Sequence, residues 1–136
     1  LGIKKRVTTT IDLESRISDQ VFLFMERQGE MWAARKEVIH QMAMALTEAC
    51  EVITDHQMAT GPLKVAVSFD EFNLDAEISY EGSPLTLPDK RPGEEEILSD
   101  PSGLLKLGAF LIQGYADKVT SGSDGSLAFL NLHLEH

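Results

Sequence analysis

The chain predicts an α+β two-layer sandwich, with helices on one face of a mixed, mainly antiparallel sheet. Three observations carry this. Two long segments in the first half place apolar residues at helical spacing. Two short runs, Leu63 to Phe69 and Asp75 to Tyr80, are joined by the polar connector Asp70–Asn73, which has hairpin length. In the closing segment Ala128, Leu130, Leu132 and Leu134 alternate with Phe129, Asn131 and His133, the period of a half-buried strand.

The elements follow in order. Arg6 to Ile11 is rich in β-branched residues and reads as an edge strand, flanked by charge that discourages pairing with other chains. Asp12 is positioned to cap a helix reaching Gln28, with Ile17, Val21, Phe24 and Met25 on one face and Gly29 as the stop. A longer helix from Met31 to Asp55 turns Val38 or Ile39, Met42, Leu46, Ala49 or Cys50, and Ile53 inward. Gly61 and Pro62 break the chain before the hairpin. Ser83 to Gly93 holds three prolines and is irregular, although a short fifth strand could hide in Pro84 to Leu87. Glu94 to Leu98 fits one helical turn. Ser102 then caps a third helix to about Lys118, with Leu111, Tyr115 and Val119 among its inward residues.

The bulk numbers narrow function more than they define it. The 136 residues suit one domain, assigned to residues 7–134, with 1–6 as a basic start and Glu135 and His136 set aside as a purification-tag remnant. A net charge of −10 argues against nucleic acid, whose phosphates require clustered Lys and Arg. One cysteine, Cys50, excludes an internal disulfide and suits a reducing compartment; on the apolar stripe it reads as packed core. His40 and His56 stand roughly 24 Å apart along one helix and cannot share a metal, so no metal site is expected. Glu94–Glu96 reads as a solvated charge run, and Trp32 beside Arg35 as a residue closing the base of the core.

From the second helix onward, this order and the stretch Gly103–Ile112, Ala116–Val119, Gly122–Gly125 and the closing strand resemble the histidine-kinase-type ATPase domain, shared by histidine kinases, anti-sigma serine kinases and gyrase. The resemblance implies an ATP cradle under a lid, and several of its residues are changed. Glu48 stands where the family carries its glutamate base. Val52 stands where an asparagine would hold magnesium. A valine offers no oxygen to a hard cation. Tyr80 replaces the adenine-reading aspartate, Gly82 survives, and Pro84 replaces the next glycine. Gly108 remains at the lid-side helix, with Lys106 where another glycine is usual. The nucleotide-binding remnant is therefore Val52, Tyr80, Gly82 and Gly108, with Glu48 as the catalytic candidate, and no ATP or magnesium is expected. Prolines 84, 88 and 92 make the lid region a fixed docking surface.

A narrower resemblance links Gly29–Arg35, Phe69–Asn73 and Ile78–Gly82 to the cytoplasmic tail of bacterial xanthine/uracil permeases, and Leu1 to Arg6 looks like the basic exit of a membrane helix. It implies a non-catalytic regulatory or interaction domain at the cytoplasmic face of the inner membrane. Its partner would be the transmembrane permease domain of the same chain, with a homo-oligomer or a small-molecule ligand also open. The alternative is an active anti-sigma-type serine kinase or other ATPase. A third reading, a free-standing structural adaptor of unrelated topology, would be supported by parallel pairing of the strands Leu63 to Phe69 and Asp75 to Tyr80.

Overall fold

A computed structural model describes residues 5–136. The part of the basic start at positions 1–4 lies outside the described residues. The elements are β1 (Lys5–Ile11), α1 (Ile17–Trp32), α2 (Lys36–Asp55), β2 (Leu63–Phe69), β3 (Asn73–Glu81), α3 (Glu94–Ser99), α4 (Gly103–Ile112), β4 (Lys118–Asp124) and β5 (Leu127–Glu135). They form the expected α+β sandwich. Five strands run in the order β1-β2-β3-β5-β4, and every pairing is antiparallel. β2 and β3 pair antiparallel, so the parallel pairing that would have supported an adaptor of unrelated topology is not found.

Strand register explains the single buried face. Val7 lies opposite Val67, Val67 opposite Ala76, Ala76 opposite Leu132, and Leu132 opposite Val119, so one apolar row crosses all five strands. Neighbouring rows add Val65, Ile78 and Leu130, each at most 1% exposed. Because side chains alternate, the next residues along each strand (Thr8, Ser68, Asp75, His133) fall on the other face. On that face Asp75 Oδ1 lies 2.5 Å from His133 Nδ1, across one β3–β5 pair. Met25, Met42, Leu46 and Ile53 from α1 and α2 complete the core.

Several boundaries differ from the sequence reading, each for a local reason. Asp12 does not cap α1. Its Oδ1 accepts from the Glu14 amide, and the Gln20 side chain exchanges two 2.8 Å bonds with the Asp12 backbone, closing the loop before the helix. Gly29 does not stop α1, which continues to Trp32 and ends at Ala33 in the left-handed conformation, φ 52°. Gly29 is needed for packing, since a Cβ there would lie 2.9 Å from Ile39 Cγ1 on α2. Helix α2 therefore starts at Lys36, after Met31 and Trp32 have been used by α1.

At the other end, α4 stops at Ile112, and Lys118 opens a strand. Ser102 occupies the cap position but its hydroxyl donates to Asp100. The fifth strand is β4, not Pro84–Leu87, which makes no strand pairing. β5 carries its pairing to Glu135, and His136 stacks on Phe69, with ring centroids 5.0 Å apart.

Candidate functional site

Of the residues expected to form a nucleotide cradle, Val52 and Gly108 meet where α2 packs on α4. A Cβ on Gly108 would stand 2.9 Å from Val52 Cγ2, so the two helices approach as closely as a glycine permits. Valine has no oxygen to offer there, and a β-branched side chain has little rotameric freedom with which to withdraw from the α4 backbone. Glu48 lies one turn earlier on the same flank of α2, half-buried. Glu51 follows, and its carboxyl is held above the ordinary range first by burial, then by the charges of Glu48 and Asp55. A triphosphate brought here without a cation would meet a strip of like charge. Among the described residues, no three His, Cys, Asp or Glu side chains converge to hold a metal ion. At position 52 itself, valine supplies no oxygen ligand to a magnesium-bound phosphate.

The β3 end is committed elsewhere. Tyr80 is 3% exposed, and its hydroxyl donates to the Ser83 carbonyl at 2.7 Å. Burial pushes that phenol up to about 12, so it remains a neutral, already engaged donor. Gly82 is a glycine because of the loop after α2. Its φ is 149°, and a Cβ would fall 1.9 Å from the Met58 carbonyl oxygen. The Ser83 amide donates to that same oxygen at 2.9 Å. Lys106 is not available to phosphate either, since its Nζ donates at 2.8 Å to both Glu96 and Asp100 and so ties α4 to α3.

The structure therefore joins Val52 to Gly108, while Tyr80 and Gly82 serve the turn that follows β3. The loop from Ser83 to Gly93 is fastened to the body. Leu85 is buried, Ser121 Oγ donates to its carbonyl at 2.6 Å, and Gln113 Nε2 donates to the Pro88 carbonyl at 2.9 Å. Trp32 packs as expected, stacking on Phe69 at 5.3 Å between centroids. Cys50 is fully buried, and burial followed by the Glu51 charge pushes its thiol up to about 12.

Sequence reasoning passed over a groove of about 1120 Å³ between α1, α2 and the turn at Gly114 and Tyr115. None of the cradle residues lines it. Its signal was present as small residues (Gly29, Ala33, Ala34, Ala43) where the two helices approach, but helix boundaries drawn at Gly29 and Met31 hid it.

The fold just described is a five-stranded antiparallel sheet covered on one face by helices, and it has a solved counterpart. A chain in the crystal structure of the SiaB–SiaC complex from Pseudomonas aeruginosa matches with a TM-score of 0.52 and 8% identity, covering 96% of this chain and 89% of that chain. At that identity the likeness shows the fold alone. No family model and no curated protein matches the sequence.

Proposed function

We propose that the chain is a non-catalytic regulatory or interaction domain on a histidine-kinase-type ATPase scaffold whose nucleotide cradle has been closed by packing. The carrying observation is the close approach of Val52 to Gly108, which sets an aliphatic side chain where the resemblance would have a magnesium-binding asparagine. Tyr80 and Lys106 support the same reading, because each polar group that replaced a cradle residue is bonded within the protein. The SiaB–SiaC counterpart comes from a protein–protein complex, which is in keeping with a role through protein partners.

The permease assignment is part of this proposal and rests on the resemblance of Gly29–Arg35, Phe69–Asn73 and Ile78–Gly82 to nucleobase-permease tails. No helix of the described residues is long and apolar enough to cross a membrane; in this proposal the spanning segments belong to the permease domain. Two measurements test the pair of claims. Calorimetric titration with magnesium-ATP should give no saturable heat at millimolar nucleotide; micromolar binding would instead favour the kinase alternative, with Glu48 as base. The coding sequence upstream of Leu1 should encode a series of apolar spanning segments, and a soluble neighbour there would remove the permease link.

A further inference from the structure

We infer that the groove between α1 and α2, walled at one end by Tyr115, docks an amphipathic helix of a partner protein that carries Lys or Arg along its flanks. Four of the groove's lining residues are small, Gly29, Ala33, Ala34 and Ala43, so a docked backbone can come close. Phe22, Ile39, Met44 and Tyr115 supply apolar walls. Met44 is 39% exposed, and an unbranched thioether adapts to whatever ridge it meets. Phe22 is held in place by an edge contact with the His40 ring, with centroids 5.5 Å apart. Gln41 donates to the Tyr115 carbonyl at 3.2 Å and fixes the far wall.

The rim selects the occupant. Glu26, Glu30 and Glu37 border the groove against a single cation, Lys36, and all three glutamates are exposed. None of them forms an ion pair within the described residues. A partner must therefore offer an apolar ridge with positive flanks, while an anionic lipid or nucleotide would be repelled. The walls are helices whose backbone groups are satisfied internally, so they present no edge for strand addition. From Phe22 to Ala33 the groove follows α1 for roughly 16 Å, about three turns of a docked helix. That length suits anchors spaced i, i+4 and i+7.

The inference rests on reading the chain as an interaction domain, and its test separates the two. Magnesium-ATP binding would overturn that reading without touching the groove. The groove itself is probed with a synthetic four-turn helix bearing leucines on one face and lysines on its flanks, beside the same peptide with glutamates in place of lysines. Amide NMR titration should show saturable binding of the lysine peptide, with shifts centred on His40, Met44 and Tyr115, and binding of the glutamate peptide weaker by about tenfold or more. Substituting the exposed rim as Glu26→Lys, Glu30→Lys and Glu37→Lys should invert that preference. The substitution moves the net charge only from −10 to −4, so an inversion reports the rim and not the bulk charge. No saturable binding, an unchanged preference in the variant, shifts centred on the exposed Leu98 and Leu104, or self-association relieved by Met44→Glu would each overturn the proposal.

Discussion

Val52 on α2 and Gly108 on α4 form a pair in which the glycine has no room to gain a side chain. A methyl at residue 108 would lie 2.9 Å from Val52 Cγ2, inside ordinary contact distance. Two opposing effects decide what Gly108→Ala does. Alanine in a helix interior gains about 0.5–1 kcal/mol over glycine, whereas overpacking against a stiff neighbour costs about 1–3 kcal/mol. The expected outcome is a net loss of about 1 kcal/mol in urea denaturation. Adding Val52→Ala should relieve the overlap, so that the double variant is more stable than the two single changes summed. Simple additivity would mean the two residues do not touch.

The link between α3 and α4 gives a pH signature. Lys106 bonds first, then the Ser102 amide and hydroxyl, hold Asp100 down at about 2, and Asp100 with Glu96 raises Lys106 above its ordinary range. Asp100 has a depressed folded value, so its contribution is present above its ordinary value of 3.8 and fades as pH falls towards 2. Lys106 has a raised folded value, so its contribution is present below 10.5 and fades at higher pH. Carboxyl NMR should find the Asp100 midpoint near 2 in the native chain and closer to 3.8 in Lys106→Met. An unmoved midpoint in the variant would show that Lys106 is not the main cause.

Sequence patterns identified most of this architecture and misplaced its joints. The β2–β3 hairpin was readable from its short polar connector, and β3 and β5 from buried residues that alternate with less buried ones. β4 was hidden because, as an edge strand, it buries little; Val119 is its lone large apolar residue, and the spacing of Leu111, Tyr115 and Val119 mimics a helix. Gly29 and Gly82 were assigned to a stop and a nucleotide contact, yet each is a glycine because another segment crosses it. The departures from the ATPase-family pattern were visible one residue at a time. That Val52 and Gly108 close on each other was not, since residues fifty-six positions apart carry no local signal of contact.

Cys50 offers a direct reading of core integrity. Fully buried, with its thiol pushed up to about 12, it should resist aromatic disulfide reagents in the folded protein at mildly alkaline pH and react on denaturation. Its labelling rate should follow the population of the unfolded state across a urea series. Fast labelling under native conditions would place the thiol outside the core.

The proposal depends most on Val52, at the α2–α4 contact, offering no ligand to a metal-bound phosphate. Methyl NMR of Val52 during titration with magnesium-ATP examines that point directly. The account predicts two methyl resonances that stay fixed up to millimolar nucleotide. Saturable shifts of those methyls at micromolar nucleotide would contradict it.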